Sequence, residues 1–409
     1  MPLSLAAPMP ITLRARRAGT AIFLWPARAR RTAVLGMIPV FVLAMLATLF
    51  YSAYAARLWH GTEPRNDFGA LWLWSGMIHS VAHPLALYVP ARVFAYMHAA
   101  RPDFHGHYPF AYPPSFLLLI WPLALVGRGL ADALWTGFGL VAYLLAIAEP
   151  PWRRPILLLV LFAPATALTI EAGQDGLLLA ALLIGGCRLL GTRPVAAGVL
   201  FGLAAWKPQF GVLVPLALLA GREWRALAAA AVTVLAGIAA SAAAFGWAMW
   251  PRWIASMLHL AAFAGSHPRL VRLMPTIAAG LHLLGAGPEA RMLGQAAAAL
   301  LAAAGVWYCW RRGPRRLGVA ALLCGCFLAT PYAFFYDLPL LAGVLVALLA
   351  ERVEARAAFT LAEVPVLLGA AMLAGLIVKA NAGVPWGLLV LPALFALIVV
   401  RSARCAPAR

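Results

Sequence analysis

The sequence predicts an all-α, polytopic membrane helical bundle of about 12 spans, and three observations predict it. Of 409 residues, 64% are apolar and 11% charged, whereas a soluble chain of this length carries about 25% charged residues. Apolar stretches long enough for a span recur along most of the chain; about 20 residues suffice. The basic residues are almost all Arg and gather in short runs between those stretches, as they do in cytoplasmic loops. What remains cannot build a water-soluble surface, so one membrane domain is expected rather than two soluble ones.

The elements follow in order. Residues 1–31 form a basic tail, expected in the cytoplasm. The apolar run 32–55 is as long as a full span and no small-residue cleavage pattern follows it, so an uncleaved first helix is expected rather than a signal peptide. Further spans are expected near 111–127, 131–148, 155–170, 175–190, 194–220, 226–246, 292–310, 317–332, 336–350, 361–379 and 383–400. A single membrane domain, 32–400, is thus followed by a short cytoplasmic tail, 401–409. Trp206-Lys207-Pro208-Gln209 interrupts 194–220, which is expected to be two short helices meeting at that break. Two connections, 56–110 and 247–290, are rich in Trp, His, Arg and Pro and too polar to cross lipid as simple helices.

Orientation follows from the Arg runs at 14–31, 311–316, 352–356 and 401–409, all expected inside. That places 330–337 and both long connections outside. Arg188, Arg193, Arg222 and Arg225 fall inside when 194–220 is a helix pair, which turns Lys207 toward the outer face. Arg153-Arg154 belongs inside, yet counting from the front puts it outside. One segment between 111 and 170 is therefore expected not to cross fully.

The net charge of +19 is spread over these loops and is no nucleic-acid signature; no nucleic-acid partner is expected. Membrane lipids are. The five cysteines, Cys187, Cys309, Cys324, Cys326 and Cys405, show neither metal-ligand spacing nor a disulfide framework and read as small apolar residues.

Polar residues near membrane depth are costly, so each asks for a reason. Asp67 opens an aromatic stretch, Phe68 to Trp74, that looks like an interfacial helix on the outer surface. A carboxylate there suits a general base for a hydroxyl; a helix cap or a pair with Arg65 is the plainer alternative. Tyr112-Pro113-Pro114 fixes how a helix begins. Glu171-Ala-Gly173-Gln174-Asp175-Gly176 can cap the next helix or face a polar substrate. Only two of the 32 basic residues are lysines, Lys207 and Lys379. Lys379 can snorkel to the interface. Lys207 precedes a proline in a broken helix, where freed backbone must line a cavity or be buried in protein. A point charge there suits a phosphate, or else pairs with a buried carboxylate such as Glu171 or Asp175. Tyr336 and Asp337 lie at the outer mouth, where Asp337 can bind hydroxyls or cap a helix. His259, His267, Arg269 and Arg272 can meet a phosphate head or ordinary anionic lipid. Asp67, Asp103 and Asp337 are too scattered for a ligand set, and neither a metal nor a cofactor is expected.

In this order the motifs resemble bacterial membrane glycosyltransferase family 87. The matching elements are Asp67-Phe68, Leu87-Tyr88, Phe110-Ala-Tyr112-Pro113-Pro114, Trp121-Pro122-Leu123-Ala124 and Gly173-Gln174. Gly198-Val-Leu-Phe-Gly202, running on to Trp206-Lys207-Pro208, and Pro331-Tyr332 with Tyr336-Asp337-Leu338 complete the set. The family pattern often carries Asn where this chain has Asp175. The resemblance implies a GT-C type fold in a bacterial inner membrane, with an early outer loop bearing a catalytic Asp, which corresponds to Asp67. It also implies transfer of a hexose, mannose in the best-known members, from a polyprenyl-phosphate-linked sugar to a glycan or glycolipid acceptor at the extracytoplasmic face. The anomeric centre would be inverted. In that picture Lys207, Arg269 and Arg272 meet the donor phosphate, while Tyr112, Gln174, Asp175, Tyr336 and Asp337 meet the substrate. A secondary transporter shares the broken helices and the lone lysine, although no inverted repeat is seen. A lipid-linked glycan flippase or an envelope scaffold is the third class.

Overall fold

A computed structural model describes residues 66–80, 84–102, 108–148, 153–379 and 383–405. The expected basic tail 1–31, the span 32–55, Arg65, Asp103 and residues 406–409 lie outside these, as do the side chains of His259 and Lys379. All regular structure among the described residues is helical.

Before the bundle proper come α1 (Asn66–Ser80), α2 (Pro90–Ala100) and α3 (Pro114–Ile120), the last continued by a 3-10 turn, Trp121–Leu125. Then follow α4 (Arg128–Ile147), α5 (Arg153–Leu161), α6 (Pro164–Ala172), α7 (Gly176–Leu189), α8 (Pro194–Leu203), α9 (Pro208–Gly211), α10 (Val214–Ala220) and α11 (Trp224–Phe245). The connection 247–290 holds α12 (Met249–Ser266), α13 (Pro268–Arg272) and α14 (Ile277–Leu283). The last group is α15 (Pro288–Arg312), α16 (Arg315–Ala329), α17 (Leu340–Glu354), α18 (Val364–Lys379) and α19 (Trp386–Cys405).

Among the described residues, four helices are long and apolar enough to cross a membrane: α4, α11, α15 and α19. The expected runs around 111–127, 155–170 and 194–220 are cut into shorter pieces. Pro122, Pro164, Pro208 and Pro215 each lie in the first turn of a new helical piece, because proline has no N–H to give to the turn before it. The apolar pattern of α4 is that of a lipid-facing helix. Ala131, Trp135, Gly139, Tyr143 and Ile147 form its buried stripe, while Leu134, Phe138, Val141 and Leu145 are exposed on the far side. An apolar stripe of that length facing water would be unusual. Close packing is bought with small residues: Gly198 and Gly202 of α8 let the helix approach Ala226, Ala230 and Thr233 of α11, a small-xxx-small contact.

The bundle has two unlike ends. At one, Arg188 donates to the Leu145 carbonyl (2.9 Å), Arg315 pairs with Glu223 (3.4 Å) and Arg316 with Glu354 (3.1 Å). There too the buried Arg401 guanidinium reaches Glu351 (3.4 Å) and Glu363 (2.7 Å). At the other end the helices break.

The short unit 114–125 belongs to that second end. It is roughly 20 Å long, less than the hydrocarbon core of about 30 Å. Its last turn is tied to α1, where Ser75 donates to the Trp121 carbonyl (3.0 Å), accepts from Ala124 N (2.9 Å), and lies one turn from Trp72, which donates to the Val126 carbonyl (3.2 Å). Its start packs under the site, with Phe116 stacked on Tyr112 at 4.0 Å. The chain thus enters and leaves at one end before α4 runs the length of the bundle. That brings the end of α4 beside Arg188, at the Arg-rich end.

Candidate active site

Three helix breaks meet at one level. The first lies between α6 and α7. Gly173 closes α6 in the left-handed region, at φ 66°, which glycine alone adopts at no steric cost; a side chain there would also strike Phe68. Gln174 and Asp175 follow, and α7 begins at Gly176, where any Cβ would collide with the Tyr336 backbone carbonyl. The second break is a 3-10 turn, Ala204–Trp206, after α8; Lys207 then stands before Pro208 with φ −114°, outside the helical region that a following proline disfavours. The third is 330–339, between α16 and α17, with a 3-10 turn at Phe335–Asp337.

Lys207 joins all three. Its ammonium lies 2.7 Å from Asp175 Oδ1 and 2.6 Å from Asp337 Oδ1, and the three side chains are 6%, 0% and 2% exposed. Each carboxylate is engaged on its other oxygen as well. Trp206 Nε1 donates to Asp175 Oδ2 at 2.9 Å, and Phe334 N donates to Asp337 Oδ2 at 2.9 Å. The Tyr336 ring lies 5.0 Å from the Lys207 ammonium, within cation–π reach.

Above this buried cluster the site opens. Tyr112 places its hydroxyl 3.4 Å from both Gln174 Oε1 and Asp175 Oδ1, and its carbonyl is held by the Tyr88 hydroxyl at 2.9 Å. Gln174 Nε2 donates to Asp67 Oδ2 at 3.4 Å. Asp67 is half-buried, in the first turn of α1, where the helix dipole favours a negative charge. That helix is not one of the spanning ones. Burial raises the proton affinity of the Asp67 carboxyl above the ordinary carboxylate value, and hydrogen bonds from Tyr108 and Gln174 oppose the rise. The opposite wall is aromatic: Tyr332 meets Phe334 edge-on at 5.2 Å, and Tyr336 stacks on Phe334 at 5.2 Å. Thr169 ties that wall to α6 by donating to the Tyr336 carbonyl (3.0 Å).

The structure therefore brings together Asp67, Tyr112, Gln174, Asp175, Lys207, Tyr336 and Asp337. It does not bring Arg269 and Arg272 into the cluster. Both are exposed on α13, although that helix is fastened to the aromatic wall: Phe335 N donates to the Leu273 carbonyl (3.0 Å), and Val271 and Met274 pack with Phe334. Lys207, expected at a phosphate, shows here the alternative geometry of a lysine paired with buried carboxylates. An ammonium has three donors; two go to carboxylates, and the Tyr336 ring faces it too. Asp175 stands at the N-cap position of α7 without capping it, since Lys207 and Trp206 take its oxygens. Asp337 does cap its 3-10 turn, with one oxygen, while the other holds Lys207.

Trp206 and Tyr332 stand in motifs of the resemblance with no role assigned by the sequence, and Tyr108 and Thr169 stand in none. The available signal was an indole beside the only lysine inside a broken helix, since a buried indole N–H needs an acceptor. Among the described residues no group of His, Cys, Asp and Glu is arranged to hold a metal ion.

Counting formal charges, Asp175, Asp337 and Lys207 leave one negative charge, and Asp67 adds a second. Such a centre suits hydroxyl donors, which carboxylates accept strongly. Comparison with known proteins agrees with a sugar chemistry. Residues 110–331, more than half of the chain, match the family model of glycosyltransferase family 87. No curated protein and no solved structure matches the chain.

Proposed function

The chain belongs to glycosyltransferase family 87, a family of membrane glycosyltransferases, and from that premise we propose that it moves a hexose, mannose by preference, from a polyprenyl-phosphate donor to an envelope glycan or glycolipid. The proposed setting is the extracytoplasmic face of a bacterial inner membrane, in a GT-C type bundle of about 12 spans. The observation that carries the chemistry is Asp67, a half-buried carboxylate at the mouth, held by Gln174 and Tyr108 above a polar centre inside an apolar bundle. Asp67 takes the proton of the acceptor hydroxyl. The freed oxygen pair forms the new bond at the anomeric carbon from the face opposite the phosphate, and the old carbon–oxygen bond breaks with its electrons leaving on the lipid phosphate. Inversion follows. Arg269 and Arg272, exposed beside the wall, meet that phosphate, whose developing charge they stabilise.

Two further features support the setting. The site lies at the end of the bundle opposite the Arg-rich loops, which favour the cytoplasm. An apolar groove starts at Leu338 and Pro339, next in sequence to Asp337, and runs on past Val160, Leu345 and Leu367. An apolar groove that begins beside the site suits a donor with one hydrocarbon end.

The test uses the purified protein in lipid nanodiscs with radiolabelled polyprenyl-phosphate mannose and a membrane glycolipid extract. Label should pass to acceptor, and Asp67→Asn should reduce transfer by at least about 10²-fold, the usual scale for a general base. The acid limb of the wild-type profile should lie above the ordinary carboxylate range, because burial raises the carboxyl and activity is lost as pH falls through it. Transfer undiminished in Asp67→Asn would sink the assignment. Uptake of a labelled solute into sealed vesicles without any lipid donor would favour the transporter reading instead.

A further inference from the structure

Most cations near a phosphate-handling centre are taken to hold phosphate. The geometry points elsewhere for Lys207. We propose that Lys207 is a positioning residue, an internal counter-ion that clamps Asp175 to Asp337 and thereby sets the floor on which Asp67 and the aromatic wall are mounted, and that it makes no contact with the donor phosphate. This rests on the transferase reading of the site.

Three observations carry it. First, the ammonium is committed: two of its three donors go to carboxylates within 2.7 Å, the Tyr336 ring faces it at 5.0 Å, and its side chain is 6% exposed. A phosphate could reach it only by displacing a carboxylate. Second, the carboxylates are themselves fixed, by Trp206 Nε1 and by Phe334 N, so that the lysine joins two rigid supports. Third, each support leads to the reacting side. Asp175 is followed by Gly176, which packs against the Tyr336 carbonyl, and is preceded by Gln174, which holds Asp67. Asp337 is preceded by Tyr336 in the wall. The connection is long-range, since Lys207 and Asp337 are 130 residues apart in sequence.

Removing the ammonium leaves two desolvated carboxylates facing each other. Such a pair either takes up a proton or moves apart. In both cases the floor shifts and Gln174 with it. A misplacement of about 1 Å costs on the order of 10²-fold in rate, whereas the donor phosphate, held elsewhere, is bound as before.

The experiment compares Lys207→Met, Asp337→Asn and the double variant with wild type. It measures kcat, the donor KM, and binding of sugar-free polyprenyl phosphate, all in nanodiscs. The expected result for K207M is a kcat lower by about 10²-fold with donor KM and polyprenyl-phosphate affinity within about threefold, a change too small for a lost charge-assisted contact. Adding D337N, which removes the surplus negative charge, should recover at least about tenfold of the kcat and should raise the melting temperature above that of K207M. Weakening of polyprenyl-phosphate binding by about tenfold or more in K207M, with kcat retained, would overturn the proposal. So would a double variant no better than K207M in either rate or melting. The melting cycle needs no activity: if wild type transfers no sugar but the two substitutions still couple in stability, the transferase reading fails and the clamp stands. Should K207M fail to fold, Lys207→Arg answers instead: a lowered kcat with unchanged polyprenyl-phosphate affinity upholds the clamp, and an unchanged kcat with altered polyprenyl-phosphate affinity overturns it.

Discussion

Gly176 is the narrowest point of the assembly, and replacing it by alanine is the sharpest test of how the site is held. The added methyl would have to occupy space now filled by the Tyr336 carbonyl and bounded by the Asp337 Cα. Neither obstacle is the loose end of a side chain. Both are backbone, in a turn pinned by Thr169 on one carbonyl and by Lys207 on the next carboxylate. The wall must therefore retreat by on the order of 1 Å. Overpacking of a tight interior costs typically 1–3 kcal/mol, and displacing reacting groups by about 1 Å costs on the order of 10²-fold in rate. The expected outcome of Gly176→Ala is a folded protein with a lowered melting temperature and sugar transfer reduced about 10²-fold, measured as label passing from lipid donor to acceptor. Gly127→Ala, where a Cβ would meet nothing, serves as the control. Wild-type transfer by Gly176→Ala would refute the reasoning, because it would mean that α7 and the 335–337 turn are not in contact in the working enzyme.

Two further outcomes follow from features at the other end of the bundle. Arg401→Met should destabilise the protein by about 1–3 kcal/mol, because it takes the buried cation from Glu363 (2.7 Å) while Glu351 keeps its two-point pair with Arg352; a melting temperature equal to that of the parent chain would contradict this. A bulky maleimide should label Cys405 alone in the folded protein, since Cys187, Cys309, Cys324 and Cys326 are buried, and all five after denaturation; rapid labelling of Cys324 in the native state would show that α16 is not packed as described.

The helices were largely legible because apolar runs and prolines speak locally. The break at Lys207-Pro208 and the helix beginning at Asp67 are both where the sequence places them. The connection 247–290 was harder: its Trp, Arg and His residues read as a polar loop, yet α12 forms across 249–266. Pro251 sits in its first turn, where a missing N–H costs nothing, and composition says only that such a segment is too polar for lipid, not that it is unwound. For the site, side-chain chemistry was visible and partnership was not. Asp175 sits at a helix start, which is what a capping carboxylate looks like. Only tertiary structure reveals that Trp206 and Lys207 claim it. Asp337, far along the chain, could be seen as a carboxylate at a mouth but not as the second arm of the Lys207 clamp.

The three interruptions that meet at Lys207 carry a longer consequence. Each of α6, α8 and α16 stops short so that its neighbour can begin, and every stop leaves peptide groups that an unbroken helix would have satisfied internally. Evolution toward a sturdier protein would mend those gaps, for continuous helices are what a bilayer rewards. Mending them would also straighten away the very backbone that holds the polar side chains together. Robustness and catalysis therefore make opposite demands on these few residues, and improved variants should be sought along the lipid-facing stripes, where the two do not compete.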